Sequence, residues 1–231
     1  MDKKPILLFD LDNTLLDFDM AEAIALKKTL REFGLEPGDE IVERYHQINK
    51  RHWEMLEDGL LTRAQVLVGR YEVLFREFGI EQSGGPVAKC YEQHLSEGHH
   101  FLPGAEALLD ELYGEYDMYI VSNGSAVVQE GRLKSSGIGR YFKDIFISEL
   151  VGFDKPSLSF FEACFARIPG FDRDRAIIIG DSLTSDIRGG INCGIKTCWF
   201  NPKGLVPRAD IVPDYTVDSL DKLPALFKTL A

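Results

Sequence analysis

From residue 101 onward, short apolar runs alternate with amphipathic stretches, and that alternation leaves few folds open to the chain. Strands are predicted over residues 118–121, 145–148, 176–179 and 196–199. Helical periodicity covers residues 104–113, 125–136 and 156–167 and the stretch after Ser182, with short elements near Tyr215 and from Ser219. One more apolar run, Ile6 to Phe9, stands at the start of the chain, bounded by turn-type residues, as expected of a buried parallel strand. Strand and helix in strict alternation give an α/β fold, a doubly wound parallel sheet with right-handed crossovers.

Between the first strand and residue 101 the period changes to that of helices and stays there for most of 80 residues. Asp17 or Asp19 can cap a first helix whose inward face is Ala23, Leu26, Leu30 and Phe33 and which Gly34 ends. Asp39 can cap a second, with Ile41, Tyr45, Ile48 and Met55 inward and Gly59 as its stop. Thr62 and Gln65 have capping-box form and open a third, which buries Leu67, Tyr71, Leu74 and Phe78 before Gly79. Gly84-Gly85-Pro86 punctuates before a fourth that runs to about Leu95. Four amphipathic helices with short turns predict an inserted antiparallel four-helix bundle. The division expected is an α/β core of residues 1–16 and 101–231 and a helical domain of residues 17–100. Two crossings on one side make a hinge, so the bundle is expected to close over the sheet edge, and His99 and His100 are expected there as exposed polar residues, not as metal ligands.

Composition narrows the partners. A net charge of −11 argues against a nucleic-acid polymer or an anionic membrane as the target. An anionic small molecule would need local cations. Cys90, Cys164, Cys193 and Cys198 include no CxxC pair and no zinc-finger spacing, so reduced thiols are expected in preference to a metal site. The MDKKP start lacks the long apolar region of a signal peptide, and no run reaches transmembrane length. A cytoplasmic protein, monomeric or weakly dimeric, is expected.

Reactive side chains recur at the ends of the predicted strands. Asp10 and Asp12 follow the first; Ser122 lies in VSNG, Lys155 in DKP, and Asp181 with Asp186 in IIIGDSLTSD. Each has a plain alternative. Asp12-Asn13-Thr14 can be a polar turn, Ser122-Asn123-Gly124 a turn ahead of a helix cap, and Lys155 a solvated charge before Pro156. Together they are less easily dismissed, because open parallel sheets bind ligands at the carboxyl ends of their strands. An acidic pair at such an edge also calls for a cation.

These four stations resemble the motifs of the haloacid dehalogenase (HAD) superfamily of aspartate-nucleophile phosphatases over nearly the whole chain. DLDNT is similar to the first motif, Ser122 to the second, Lys155 to the third and GDSLTSD to the fourth, and the helical insertion resembles the C1 type of cap on a Rossmann-like core. The resemblance implies a Mg²⁺ or Mn²⁺ ion held by the Asp10 carboxylate, the Asp12 carbonyl and Asp181. It also implies an aspartyl-phosphate on Asp10, proton transfer by Asp12, and phosphate contacts from Ser122, Asn123, Gly124 and Lys155. Asp186 is implied outside the ligand set, orienting metal waters or Lys155. Dehalogenases of this superfamily typically lack an acid two residues after the nucleophile, so Asp12 favours phosphate esters.

The segments INKRHWEMLEDGLLT, SNGSAVVQEGRL, ISELVGFDKP and SDIRGGINCGIKTCWFNP are similar to those of bacterial pyrimidine 5′-nucleotidases acting on unusual pyrimidine monophosphates. That implies a pyrimidine nucleoside 5′-monophosphate as substrate, selected by the cap. Asn49 is a candidate for reading a base edge, Lys50 either another contact or a solvated face, and Trp53 either a stacking surface or bundle packing. A sugar-phosphate phosphatase or phosphomutase with the same machinery is the alternative. A phospho-receiver signalling domain also uses Asp, Ser or Thr and Lys on an α/β sheet, but it lacks a helical insertion and a GDxxxxD station.

Overall fold

The computed structural model describes residues 5–230; residues 1–4, on which the expectation of no leader falls, lie outside the described residues. In chain order the elements are β1 (Ile6–Phe9), α1 (Phe18–Glu32), α2 (Asp39–Glu57), α3 (Arg63–Phe78), α4 (Gly84–Ser96), α5 (Ala105–Leu112), β2 (Asp117–Ser122), α6 (Ala126–Ser136), β3 (Asp144–Ile147), α7 (Ser148–Val151), α8 (Leu158–Phe165), β4 (Ala176–Gly180), α9 (Arg188–Cys193), β5 (Lys196–Phe200), β6 (Tyr215–Val217) and α10 (Leu223–Lys228). They form two compact units. One comprises the residues up to Asp17, His100–Ala126 and those from Ser136 onward; the other comprises Phe18–His99 and Val127–Ser135. No helix among the described residues is long and apolar enough to cross a membrane.

The first unit holds the sheet. Its six strands are all parallel, in the order β3-β2-β1-β4-β5-β6, so β1 is central and the winding reverses between β1 and β4. β1 is apolar without interruption because both faces are covered. Ile6 and Leu8 join a core with Phe160, Phe161 and Cys164 of α8, while Phe9, on the other face, meets Phe142 and Phe227 edge-on. Fully burying each such side chain stabilises the unit by about 1.5–3 kcal/mol. Past Asp10 the chain turns through Asn13, whose φ of 56° lies in the left-handed region that Asn tolerates. It then leaves the core beside the segment on which it returns: Leu16 bridges Phe101, the Asp17 N–H donates to the His100 carbonyl at 2.7 Å, and the Leu102 N–H donates to the Leu15 carbonyl at 3.0 Å.

The second unit packs α1 to α4 around Leu26, Leu30, Tyr45, Tyr71, Leu74, Val87 and Tyr91. The capping box at Thr62 forms as expected, with the Gln65 N–H donating to Thr62 Oγ1 and the Thr62 N–H to Gln65 Oε1. Two expectations shift. Gly84-Gly85-Pro86 is the first turn of α4 and not a break before it, because a proline there forgoes an N–H that the helix does not need. The buried faces of α1 and α3 run through Glu22 with Ala25 and through Val66 with Arg70, leaving Ala23 and Leu67 partly exposed.

Polar groups explain that shift. Glu22 accepts from Asn49 Nδ2 at 2.6 Å and meets His46 Nδ1 at 2.7 Å, while Arg70 donates to Asn49 Oδ1 at 2.6 Å. The Arg70 guanidinium lies 5.1–5.8 Å from the ring centres of Tyr45, Tyr71 and Tyr91, within cation–π range. A hydrophobic-period reading places such residues outside; the mutual hydrogen bonds make burial tolerable. Helix α6, read from the sequence as part of the α/β core, joins this unit over residues 127–135: Val128 enters its core and Arg132 Nε donates to the Gly98 carbonyl at 2.9 Å.

Candidate active site

The site is assembled at the carboxyl ends of β1, β2 and β4. Asp10 immediately follows β1 and stays in the ladder, its N–H donating to the Ile179 carbonyl at 2.9 Å, which fixes its backbone against the central pair of strands. One carboxylate oxygen accepts from Lys155 Nζ at 2.7 Å and the other from Thr14 Oγ1 at 3.2 Å. Lys155 Nζ also donates to Asp186 Oδ1 at 2.6 Å and to the Val121 carbonyl at 2.8 Å, so all three of its protons have acceptors. Its main chain is clasped by Asn123, which accepts from the Lys155 N–H at 2.8 Å and donates to the Lys155 carbonyl at 2.9 Å.

Asp186 reaches this position because Gly180 has no side chain. A Cβ at Gly180 would lie 2.2 Å from Asp186 Oδ2, closer than any two such atoms can sit. The Ser182 N–H donates to the same oxygen at 3.1 Å, and Ser182 Oγ accepts from the Ser185 N–H to start the π-helical turn Leu183–Ile187. Asp181 is held by its main chain, its carbonyl accepting from Trp199 Nε1 at 2.8 Å. Ser122 ends β2, buried, with its Oγ accepting from the Gly124 N–H at 3.3 Å.

The electrostatics are those of a cluster short of positive charge. Asp10, Asp181 and Asp186 each offer a carboxylate oxygen, all within 4.8 Å of one another, and one ammonium group, that of Lys155, is paired with Asp10 and Asp186. Burial pushes the Asp10 carboxyl up to about 7, with Lys155 opposing and the charges of Asp186 and Asp12 adding to the rise. Burial, then Asp10 and Asp186, hold Asp181 well above the usual carboxylate range. Burial pushes the Lys155 ammonium towards losing its proton, but Asp10 and Asp186 outweigh it and hold the group above the usual lysine range. Buried carboxylates that resist ionisation for want of a counter-charge, with oxygen as their only donor atom, fit a hard divalent cation such as Mg²⁺.

The structure thus brings Asp10, Ser122, Asn123, Lys155, Asp181 and Asp186 to one sheet edge, with Asp12 two residues beyond the nucleophile candidate. It adds a contact not read from the sequence, since both ends of the Asn123 side-chain amide are bound to the Lys155 main chain. Thr14, Gly180 and Trp199 went unread in the sequence. Thr14 had a signal, lying four residues after Asp10 in DLDNT; Gly180 and Trp199 depend on contacts that spacing does not show. In the helical unit, Asn49 is buried and its amide is taken by Glu22 and Arg70, which leaves it poorly placed to read a base edge. Lys50 is exposed. Trp53 is outside the bundle core, half-buried, with the Arg63 guanidinium 5.5 Å from its ring centre. His99 and His100 are exposed.

Comparison with known proteins agrees with this geometry. The chain is similar to pyrimidine 5′-nucleotidase PynA of Streptococcus pneumoniae, 41% identical over 94% of this chain and 92% of that protein. It is similar to pyrimidine 5′-nucleotidase YjjG of Escherichia coli, 32% identical over 95% of this chain and 96% of that protein. The crystal structure of the HAD-hydrolase YfnB from Bacillus subtilis, bound to magnesium, superposes with a TM-score of 0.93 at 39% identity, covering 98% of this chain and 99% of YfnB. Residues 7–200, from β1 through β5, match the family model for haloacid dehalogenase-like hydrolases. With its strand-end carboxylates and buried lysine in the order those motifs prescribe, the chain belongs to the haloacid dehalogenase-like hydrolase family.

Proposed function

We propose that the protein is a Mg²⁺-dependent phosphoric monoester hydrolase that removes phosphate from pyrimidine nucleoside 5′-monophosphates through an aspartyl-phosphate on Asp10. The observation that carries the reading is the placement of Asp10: central in the sheet, held at both oxygens by Lys155 and Thr14, and close to the carboxylates of Asp181 and Asp186. The names of PynA and YjjG support the choice of leaving group.

Each residue then has a task. The Asp10 carboxylate attacks phosphorus, the phosphorus–oxygen ester bond breaks, and the leaving alkoxide takes a proton from Asp12. Asp12 next removes a proton from water, whose oxygen attacks the phosphorus of the aspartyl ester, releasing inorganic phosphate and restoring Asp10. Lys155 steadies Asp10 and carries positive charge beside the transferring group, and the Ser122 hydroxyl with the Gly124 loop holds phosphoryl oxygens. Asn123 fixes Lys155 by its main chain, and Asp186 fixes the Lys155 ammonium. Asp10, the Asp12 carbonyl and Asp181 would hold a Mg²⁺ ion, which would supply charge neutralisation on the phosphoryl oxygens, needed in such displacements more than a strong base. Selection among leaving groups is assigned to the helical unit, with Trp53 as the aromatic surface and Lys50 as an accessory contact.

A screen of nucleoside monophosphates and sugar phosphates with Mg²⁺, read by phosphate release, tests the proposal. Uracil, cytosine or thymine 5′-monophosphates are expected to be turned over at the highest kcat/KM. A sugar phosphate preferred over all of them overturns the substrate assignment, and an isomeric phosphate ester in place of free phosphate marks a mutase.

A further inference from the structure

Away from every residue given a task above, a second group of ligand-type side chains lies within the helical unit. Cys90 and His94 are four residues apart on α4 and so project from one face, one above the other. Glu32, the last residue of α1, reaches both: the Cys90 thiol donates to Glu32 Oε2 at 3.2 Å, and His94 Nε2 bonds Oε1 at 2.8 Å. One ligand atom from each residue lies within 4.8 Å of the other two. The His94 ring commits Nε2 to this cluster while its Nδ1 is buried without a hydrogen-bond partner.

We propose that Glu32, Cys90 and His94 form a binding site for a thiophilic divalent cation of the zinc class, separate from the hard-oxygen cluster at the sheet edge. The donor set decides the class. One sulfur, one imidazole nitrogen and one carboxylate oxygen suit Zn²⁺ and are poor company for Mg²⁺. A tetrahedral Zn²⁺ bound at its usual distances sets its donor atoms about 3.3–3.8 Å apart. The three donor atoms, one from each residue and all within 4.8 Å of one another, need only side-chain adjustment to reach that range. Glu32 is exposed and Cys90 partly so, which leaves a path for the ion and a fourth position for water. Binding releases the thiol proton to solvent, and the neutral imidazole coordinates through Nε2 with its proton on Nδ1. Thiolate and carboxylate together cancel the ion's two charges, and the complex ties α1 to α4, the first and last helices of the bundle. The site stands independently of the catalytic reading.

Titration of the full-length protein with Co²⁺ tests it. One equivalent is expected to give a thiolate-to-cobalt charge-transfer band in the near ultraviolet that Zn²⁺ abolishes and excess Mg²⁺ leaves in place. The band should vanish in Cys90→Ser and need at least about tenfold more Co²⁺ in Glu32→Gln, since a neutral amide is a far weaker ligand than a carboxylate. Zn²⁺ should raise the Tm of the wild-type protein by a few degrees more than that of Cys90→Ser. Two variants guard against one that fails to fold, with far-ultraviolet circular dichroism as the check. Absence of the band, its survival in Cys90→Ser, or an equal Zn²⁺ shift in wild type and variant overturns the proposal.

Discussion

At Asp10 a single carboxylate is asked to be both buried and ionised. Asp10→Asn keeps the size and shape of the side chain and removes the nucleophile, so turnover is expected to fall by at least about a thousandfold while the circular dichroism spectrum is unchanged. Retained activity in the folded variant would move the nucleophile elsewhere. The same residue predicts a pH dependence. Its folded-state pKa is raised, by burial first, from 3.8 to about 7. The stability it contributes is therefore fully present below its unfolded pKa and lost as pH rises through about 7. A divalent cation binds the ionised form, so the gain in Tm caused by Mg²⁺ should grow between about pH 5 and about pH 8, and grow less in Asp10→Asn. A Mg²⁺ effect flat across that range would separate the ion from this carboxylate. Asp10 and Asp181 were legible from their positions after apolar runs, and Lys155 from its resemblance to the third motif. The Gly180 requirement was not, because it arises from where Asp186 comes to lie in three dimensions, and Glu32 stands 58 residues before Cys90, beyond any spacing rule for metal ligands.

Helices and strands were legible where local chemistry dominates. Thr62 and Gln65 announced the start of α3 and cap it as expected; Thr62→Ala should cost about 1 kcal/mol and lower Tm by roughly 2–4 °C. A fall below half a degree would show that the cap adds nothing. Helix faces were harder to read. Apolar periodicity placed Ala23 and Leu67 inward, whereas the bundle buries Glu22, Asn49 and Arg70 as a connected set. A polar residue signals a buried position only through its partner on another helix, and hydrophobicity alone carries no trace of that pairing. Asn49→Leu would leave Glu22 and Arg70 buried without their bridge, at an expected cost of about 3 kcal/mol in urea unfolding. A cost under about 1 kcal/mol would mean that the flanking residues find new partners.

For the whole molecule, strict alternation after residue 101 was enough to give the parallel sheet and its crossovers, because a doubly wound sheet is one of few ways to bury such strands on both faces. The order of strands then decides which side chains meet. With β1 and β4 adjacent at the reversal, Asp10 and Asp181 share one edge although 171 positions separate them in sequence (181 − 10). Leaving-group selection is expected to be a property of the other unit. Trp53→Ala should reduce kcat/KM for pyrimidine nucleotides at least about tenfold more than for a small aryl phosphate, in keeping with the loss of a stacked base. Equal losses would remove Trp53 from that role.

The bridged pair at Leu16 and Phe101 bears on how such a protein changes over time. A segment whose two ends are already fastened side by side leaves the strand pairing of the sheet undisturbed, and its closure cost rises only with the logarithm of its length. Descendants can lengthen it, shorten it or trade it for an unrelated one while the hydrolytic residues stay where they are. On the proposed reading, in which that segment chooses the leaving group, one set of bond-breaking groups can in this way be handed from alcohol to alcohol.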